Sequence, residues 1–329
     1  MPFEAPTMAA VRALRERLGS SVYRTPVVRC AGLEDRLDNG TRVFGKLEFL
    51  QPTGTFKIRG ALAVIGSLDA RQLAAGVTAV SAGNHAMATA YAARVAGTTA
   101  KIAMLESASR ARIDACRALG AELVLTGDIH EAFDAAEAIE RREGRTFVHP
   151  FEGPLVATGT GTVGLEICEQ HDAFDAVIIP VGGGGLFGGM ANAIRSLRPG
   201  VRLIGVEPAG AASMRASLDS GAPARLGKVA TIADSLAPPF ALPYSFELCR
   251  RNMDELVVVD DDELKAAMKT LYRVMKIAVE PACAATTAAL LGPLAESLAG
   301  RSVMLTFCGS NIDWPTFAAY VSAVNSDAD

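Results

Sequence analysis

The chain has 329 residues, half of them apolar, which is enough to bury two sizeable cores without disulfides. Its net charge of −4 comes from interspersed acidic and basic residues, so the composition gives no sign of a nucleic-acid or membrane partner. The six cysteines are scattered without a CxxC pair, and the four histidines lack metal-ligand spacing. This pattern indicates free thiols and a cytoplasmic location.

The first half of the chain predicts strands that alternate with helices. Apolar residues recur at helical spacing over Met8–Leu18, and Gly19 ends the predicted helix. After the segment PTGTFKIRG at residues 52–60, the predicted strands are VTAVSA, AKIAML and AELVLT, with helical patterns between them. Such alternation indicates βαβ units and a parallel sheet.

The second half repeats this alternation after a break at HPFEGP, residues 149–154. The patterns predict a helix over residues 157–170, strand AVIIPV, a glycine run leading into a helix, and strand RLIGVE. Residues 209–244 are rich in Pro, Ala, Ser and Gly and are predicted to be mostly irregular. Helices near residues 261–275 and 282–291, strand SVMLTF and a C-terminal helix complete the prediction.

Lys57 follows a run of turn-forming residues and begins a predicted helix. A cation there lies against the positive end of the helix dipole, which favours the neutral amine. A neutral, partly desolvated lysine attacks carbonyls and forms Schiff bases. The alternative for this stretch alone is a surface lysine after a turn.

Three further sites follow predicted strands, where ligands bind in open α/β sheets. Residues 81–85, SAGNH, offer backbone N–H groups and the Asn84 side chain to a carboxylate or phenolate oxygen, or serve only as a helix N-cap. The third site is Cys308 in FCGSNID, which is either a ligand contact or a small core residue.

The remaining site is the run of four glycines at residues 182–185. Ordering four glycines costs conformational entropy, so a function is expected, and a phosphate held by exposed backbone N–H groups would provide it. An alternative is open here. Gly183, Gly185 and Gly188 match G-x-G-x-x-G, and Glu207 ends the next strand, as in a nicotinamide-dinucleotide-binding protein.

In their order and spacing, the motifs TFKIRGA, SAGNH, VGGGG and CGSN resemble the fold type II pyridoxal-phosphate (PLP) enzymes, specifically the threonine/serine dehydratase and serine racemase family. The resemblance spans residues 23–313. It implies a fold like that of the tryptophan synthase β subunit, with two three-layer α/β/α domains and the cofactor in the cleft between them. Residues 1–66 and 152–329 would form the large PLP-binding domain, residues 67–151 the small substrate-loop domain, and two chains a homodimer.

The resemblance makes Lys57 the catalytic lysine that binds PLP and moves the substrate α-proton. It implies dehydration and deamination of L-threonine, L-serine or a related 3-hydroxy amino acid to a 2-oxo acid and ammonia. Racemisation or β-replacement on the same cofactor is the alternative. The remaining contacts that it implies are Phe56 beside the pyridine ring, Asn84 on the 3′ oxygen, Gly182, Gly183, Gly184, Gly185 and Leu186 on the phosphate, Cys308 at the ring nitrogen, and Ser81, Ala82, Gly83, Asn84 and His85 around the substrate carboxylate.

The sequence departs from the family pattern at two catalytic positions. Cys308 replaces the serine that bonds the ring nitrogen, and a buried thiol is expected to stay neutral, which favours β-elimination over transamination. Ala82 replaces the second serine of the racemases, so little or no racemisation is expected.

Two other departures concern the metal and the substrate. Relatives that bind a divalent cation use a glutamate and an aspartate, but here Glu207 is followed by Ser213 at the aspartate position. A cation would therefore have one carboxylate ligand. Ser235 replaces a common glycine and, with EPACA at residues 280–284, predicts a substrate bulkier or more polar than threonine.

Overall fold

The computed structural model describes residues 3–324, which form two largely parallel β-sheets with helices packed on their faces. This is the α/β architecture that the alternating pattern predicts. The strands are β1 Val27–Arg29, β2 Arg42–Leu47, β3 Val77–Val80, β4 Ala100–Leu105, β5 Glu122–Thr126, β6 Thr146–Phe147, β7 Ala176–Pro180, β8 Arg202–Pro208, β9 Glu255–Val259 and β10 Ser302–Phe307.

The helices connect these strands and cover both sheets. None of the helices in residues 3–324 combines the length and the apolar character needed to cross a bilayer. Their bounds are α1 Met8–Leu18, α2 Ala31–Leu37, α3 Ile58–Ile65, α4 Ala70–Ala75, α5 Asn84–Val95, α6 Arg110–Ala118, α7 Ile129–Glu143, α8 Pro154–Gln170, α9 Gly185–Leu197, α10 Ser213–Ser220, α11 Pro243–Asn252, α12 Asp261–Thr270, α13 Pro281–Leu291 and α14 Trp314–Ser322.

The larger sheet has six strands in the order β1-β2-β10-β7-β8-β9, and only the β1–β2 pair is antiparallel. The last strand, β10, lies between β2 and β7, with Val303 opposite both Val43 and Ala176. The smaller sheet has the order β5-β4-β3-β6, with every pair parallel. Its strands fall within residues 77–147, inside the predicted small domain, whose boundaries stay a prediction.

The structure differs from the sequence predictions mainly where local composition misleads. Residues 209–244 were predicted to be mostly irregular, but Ser213–Ser220 near their start form helix α10. Strand β9, Glu255–Val259, was not predicted, although it pairs with β8 along its whole length. The helix predicted over residues 261–275 ends as an α-helix at Thr270 and continues as a wider turn over Leu271–Met275.

A buried ion-pair network fixes α3 against the larger sheet. The Arg59 guanidinium is fully buried and binds both Glu48, with Nε 2.7 Å from Oε2, and Glu166, with Nη1 2.7 Å from Oε1. Lys46 Nζ on β2 lies 2.6 Å from Glu166 Oε2 and donates to the Thr25 carbonyl at 2.7 Å. Two positive and two negative side chains therefore compensate one another with almost no contact with water.

We predict that Arg59→Met destabilises the fold by about 3–5 kcal/mol, because it leaves the buried Glu48 carboxylate without its ion-pair partner and Glu166 with Lys46 alone. Urea unfolding of the full chain, monitored by circular dichroism, measures the change in the free energy of unfolding. The matched control is Arg110→Met on α6, which removes an exposed pair with Asp114 and should leave the unfolding midpoint almost unchanged. Equal midpoints for the two variants would contradict the assignment.

Candidate active site

Lys57 lies immediately before α3, and its amine projects into the cleft between the two sheets. Its Nζ donates to the Pro150 carbonyl at 2.6 Å and lies 5.2 Å from the centre of the Phe56 ring. Burial lowers the pKa of Lys57 to about 8, and the ionisable groups of Cys308 and Glu280 oppose that shift only in part. The amine therefore loses its proton at a lower pH than an ordinary lysine, as predicted, although burial and not the helix dipole is the main cause.

The glycine run joins β7 to the start of α9, on the other side of the same narrow cavity. This cavity is lined by Lys57, His85, His149 and Gly185 among others. The first N–H groups of a helix have no partner within it, so α9 presents donors and a positive dipole end here. A Cβ atom on Gly183 would overlap the ring of Phe151, so the backbone at this position comes closer to its neighbour than any side chain permits.

Asn84, the first residue of α5, is buried and its amide has partners from three other segments. Nδ2 donates to Glu280 Oε1 at 2.7 Å and to Ser235 Oγ at 3.1 Å. Oδ1 accepts from Asn311 Nδ2 at 2.6 Å. The amide therefore lies at the junction of the cleft, with its orientation fixed by its neighbours.

Cys308 follows β10 and lies beside Phe56, whose N–H donates to the Cys308 carbonyl at 3.1 Å. The Cys308 thiol is buried against the thiol of Cys283 on α13. The hydrogen bond with Cys283, and then burial, raise the pKa of Cys308 well above its ordinary value. The thiol is therefore neutral at physiological pH.

The predicted substrate loop, Ser81 to His85, leads from β3 into α5 at the mouth of the cleft. Ser81 Oγ accepts from the Gly83 N–H at 3.1 Å, while Ala82 is partly exposed and brings no polar side chain. His85 is buried, with Nε2 2.7 Å from the Val148 carbonyl. Burial, followed by the charge of Lys57, lowers the pKa of His85 to about 3 and that of His149 to about 4, so both imidazoles are neutral.

Arg112 on α6 covers this loop and ties the smaller sheet's side of the cleft to the larger one. Its guanidinium pairs with Asp234 and donates to the Asn311 carbonyl, with Nη2 2.9 Å from the oxygen. A Cβ atom on Gly83 would lie 3.2 Å from the guanidinium carbon, so the group packs directly over the loop. Arg112 was not predicted, because nothing in its local sequence indicates which elements it faces.

Glu207, the candidate metal ligand, lies apart from Lys57 and has both oxygens engaged. Its oxygens accept the backbone N–H groups of Met214 and Arg215 at 2.7 and 2.8 Å, at the start of α10. Burial raises the pKa of Glu207 to about 7. Within residues 3–324, no group of three or more His, Cys, Asp or Glu side chains is arranged to hold a metal ion.

The structure adds Glu280 and Asn311 to the predicted residues around Asn84. Asn311 belongs to the CGSN motif and Glu280 to the EPACA segment, but the sequence analysis gave neither side chain a role. Both are polar residues that lie beside small residues at the ends of predicted elements, and this was the only sign in the sequence of a ligand-binding role. Their contact with Asn84 joins segments 196 and 227 residues apart in the chain, which local patterns do not reveal.

Comparisons with known proteins agree with this geometry. The family model described as "Pyridoxal-phosphate dependent enzyme" matches residues 19–309. A phenylserine dehydratase from Ralstonia pickettii is 50% identical over 316 residues, which cover 96% of each chain. An L-threonine ammonia-lyase from Thermotoga maritima is 39% identical over 93% of this chain and 76% of its own. The solved structure of maize serine racemase superposes with a TM-score of 0.90 at 31% identity, covering 97% of this chain and 99% of the racemase.

The cofactor of this protein is PLP, and the described residues fit it on physical grounds. At Gly183 and Gly185 a Cβ atom would overlap Phe151, so the run has to be glycine. Backbone without side chains leaves its N–H groups open to an anion such as the PLP phosphate. The Glu280 Oε2 atom is buried without a hydrogen-bond partner among residues 3–324. Buried polar atoms normally have a partner, so this atom indicates that a polar ligand binds in the cleft. The nicotinamide alternative is rejected for two reasons. Both Glu207 oxygens already accept N–H groups of α10 and so are not free to bind a ribose, and the matching family is that of PLP enzymes.

We predict that the apoprotein attaches PLP covalently at a rate that rises with pH and reaches half its maximum near pH 8, where Lys57 becomes neutral. An ordinary lysine would give a midpoint of about 10.4. Stopped-flow absorbance over a pH series measures this rate. Lys57→Ala should abolish attachment, whereas the control Lys265→Ala on α12, whose amine pairs with Asp262, should not; a midpoint above pH 10 would contradict the prediction.

We further predict that Gly183→Ala lowers the free energy of unfolding by about 1–3 kcal/mol, because the new methyl group must displace the Phe151 ring. Chemical denaturation of the PLP-free protein measures it. Gly200→Ala is the control, since no atom lies within 4 Å of the added Cβ there. Equal stability of the two variants would show that the loop has room to relax.

Proposed function

Because this chain belongs to the pyridoxal-phosphate dependent enzyme family and is an ammonia-lyase of the threonine/serine dehydratase type, we propose that it dehydrates and deaminates an aryl-bearing 3-hydroxy amino acid of the phenylserine class. The products are the corresponding 2-oxo acid and ammonia. The observation that carries the reaction class is the Lys57 amine, with its pKa lowered to about 8, in one cavity with the glycine run.

Bound PLP supplies an electron sink for the bond that is broken at the substrate α-carbon. Lys57 would hold the cofactor and then take the α-proton as a general base, which its lowered pKa favours. The N–H groups of Gly182 to Gly185 would bind the phosphate, and Asn84 Nδ2 would donate to the 3′ oxygen. Ser81 to His85 would bind the substrate carboxylate with the first N–H groups of α5.

Cys308 sets the choice between elimination and transamination in this proposal. Its thiol is buried against Cys283 and has a raised pKa, so it offers the ring nitrogen only a weak neutral donor. With so weak a donor at Cys308, less negative charge would be withdrawn from the substrate α-carbon. Loss of the β-hydroxyl, which removes that charge, is then favoured. The β-hydroxyl would leave as water, balanced in the overall reaction by the proton that Lys57 removes from the α-carbon, and a water molecule is consumed again when the enamine product hydrolyses to the 2-oxo acid and ammonia.

The substrate class rests on the relatives and on the departures from the family pattern. The phenylserine dehydratase of Ralstonia pickettii shares half of its residues with this chain, more than the threonine ammonia-lyases do. Ser235, Cys283 and Cys308 all lie around the Asn84 side of the cleft, where the sequence departs from the usual pattern.

We also propose a homodimer in the cytoplasm, with the small domain at residues 67–151. The compartment is supported by the six cysteines, all free and buried. The domain division is supported by the separate four-stranded sheet within that range.

The second candidate is an amino-acid racemase, which the likeness to maize serine racemase favours. Ala82 argues against it, because an alanine carries no group that could return a proton to the face of the substrate opposite Lys57. The two candidates differ in their products, so one experiment separates them.

The test is a panel of threonine, serine, 3-hydroxyaspartate and phenylserine, with 2-oxo acid assay and chiral amino-acid analysis. We expect kcat/KM for phenylserine to exceed that for threonine by about tenfold or more, as a pocket shaped for one side chain allows. We expect no D-isomer from L-serine. Threonine as the better substrate would overturn the substrate class, and D-serine formed from L-serine without 2-oxo acid would favour the racemase.

A further inference from the structure

The carboxyl group of Glu280 has no role in the reaction described above, yet it is buried in the cleft. Glu280 is 1% exposed and stands at the N-cap of α13, but its side chain makes no hydrogen bond to that helix. Its Oε1 instead accepts from Asn84 Nδ2 at 2.7 Å, and its Oε2 has no partner within residues 3–324. Carboxylates at N-caps normally bind the helix they precede, so the diversion calls for a reason.

An amide side chain such as that of Asn84 has a donor end and an acceptor end of nearly equal shape. Which end faces a ligand is decided by its neighbours. Glu280 Oε1 accepts a bond in either protonation state, because a proton on this carboxyl belongs on the unpartnered Oε2. It therefore requires Nδ2 of Asn84 on its side.

Asn311 imposes the same orientation from the other end. Its Nδ2 donates to the Thr53 carbonyl at 2.9 Å, which fixes Asn311 as a donor toward this region. The same Nδ2 donates to Asn84 Oδ1 at 2.6 Å. The Asn84 amide is thus held by an acceptor on one side and a donor on the other, and both bonds are short.

The approach of Glu280 is built into the backbone around it. A Cβ atom on Gly309 would lie 2.7 Å from Glu280 Oε1, so only glycine at this position leaves room for the carboxyl group. Charged groups also face Glu280 from neighbouring elements. Burial, followed by Asp234, raises the pKa of Glu280 to about 7, and Arg112, the Asn84 amide and the Asn311 backbone N–H oppose that shift.

We infer that Glu280 is a positioning residue that acts through Asn84: it orients the Asn84 amide so that a donor, and not an oxygen, meets the 3′ oxygen of PLP. This inference rests on the proposed function, which places Asn84 at that oxygen. When PLP binds, the weaker 3.1 Å bond to Ser235 is the one that Asn84 can release, while the bond to Glu280 keeps the orientation.

The experiment is a double-mutant cycle on cofactor affinity. Apoprotein of the full chain is titrated with PLP, and the dissociation constant is measured for wild type, Glu280→Ala, Asn84→Ala and the double variant. We expect Glu280→Ala to weaken binding by about tenfold when Asn84 is present, as loss of a hydrogen bond to a carboxylate predicts, and by less than about threefold when Asn84 is alanine. The yellow absorbance of bound PLP should also shift toward the near-ultraviolet form when Glu280 is removed.

Glu280→Gln, which keeps the shape and an acceptor oxygen, runs through the same cycle and covers the case in which Glu280→Ala does not fold. We expect its loss of affinity to be smaller than that of Glu280→Ala and equally dependent on Asn84. Equal effects with and without Asn84 overturn the inference. If borohydride fixes PLP on wild-type Lys57 while the cycle is additive, the inference alone fails; if borohydride fixes no PLP, the proposed function fails.

Discussion

The ion pairs between Arg59 and its two glutamates hold the active site in place. Four charged side chains in this network are at most 3% exposed, and their desolvation is offset only when every partner is in position. Arg59 is two residues after Lys57, so the requirement that places its guanidinium between Glu48 and Glu166 also sets where α3 begins. The position of the Lys57 amine is thus determined by an interaction on the opposite side of the helix.

The two sides of α3 treat charge in opposite ways. Behind the helix, each buried charge has a full set of partners, and the Arg59 pKa is raised by Glu48 and Glu166 in spite of burial. In front of it, Lys57 has a backbone carbonyl as its hydrogen-bond acceptor, and the two nearby histidines are neutral. The protein therefore keeps one cation charged and brings another close to neutrality within a single turn of helix. This contrast is the physical basis for a nucleophilic lysine in this cleft.

Sequence patterns predicted the parts of the molecule that depend on local periodicity. The helix Met8–Leu18 and the strand Ser302–Phe307 have the predicted bounds, and the fold and cofactor follow from motifs whose spacing the structure retains. The short helix Ser213–Ser220 was missed because its Ser and Ala residues are typical of a loop, although the Glu207 carboxylate accepts N–H groups at its start. Glu280, Asn311 and Arg112 were missed for a different reason, since each acts through a partner far away in the chain.

The position of β10 in the larger sheet determines when that sheet can be completed during synthesis. Strands β2 and β7 are not neighbours; both pair with β10, which is the last strand to leave the ribosome. The larger sheet therefore stays split, with two open edges, until residue 307 has been synthesised. The four-stranded sheet needs only residues 77–147 and is complete long before. Synthesis from the N-terminus therefore allows the smaller sheet to form before the larger one. A chain truncated before β10 would leave the edges of β2 and β7 unpaired, and unpaired strand edges promote aggregation.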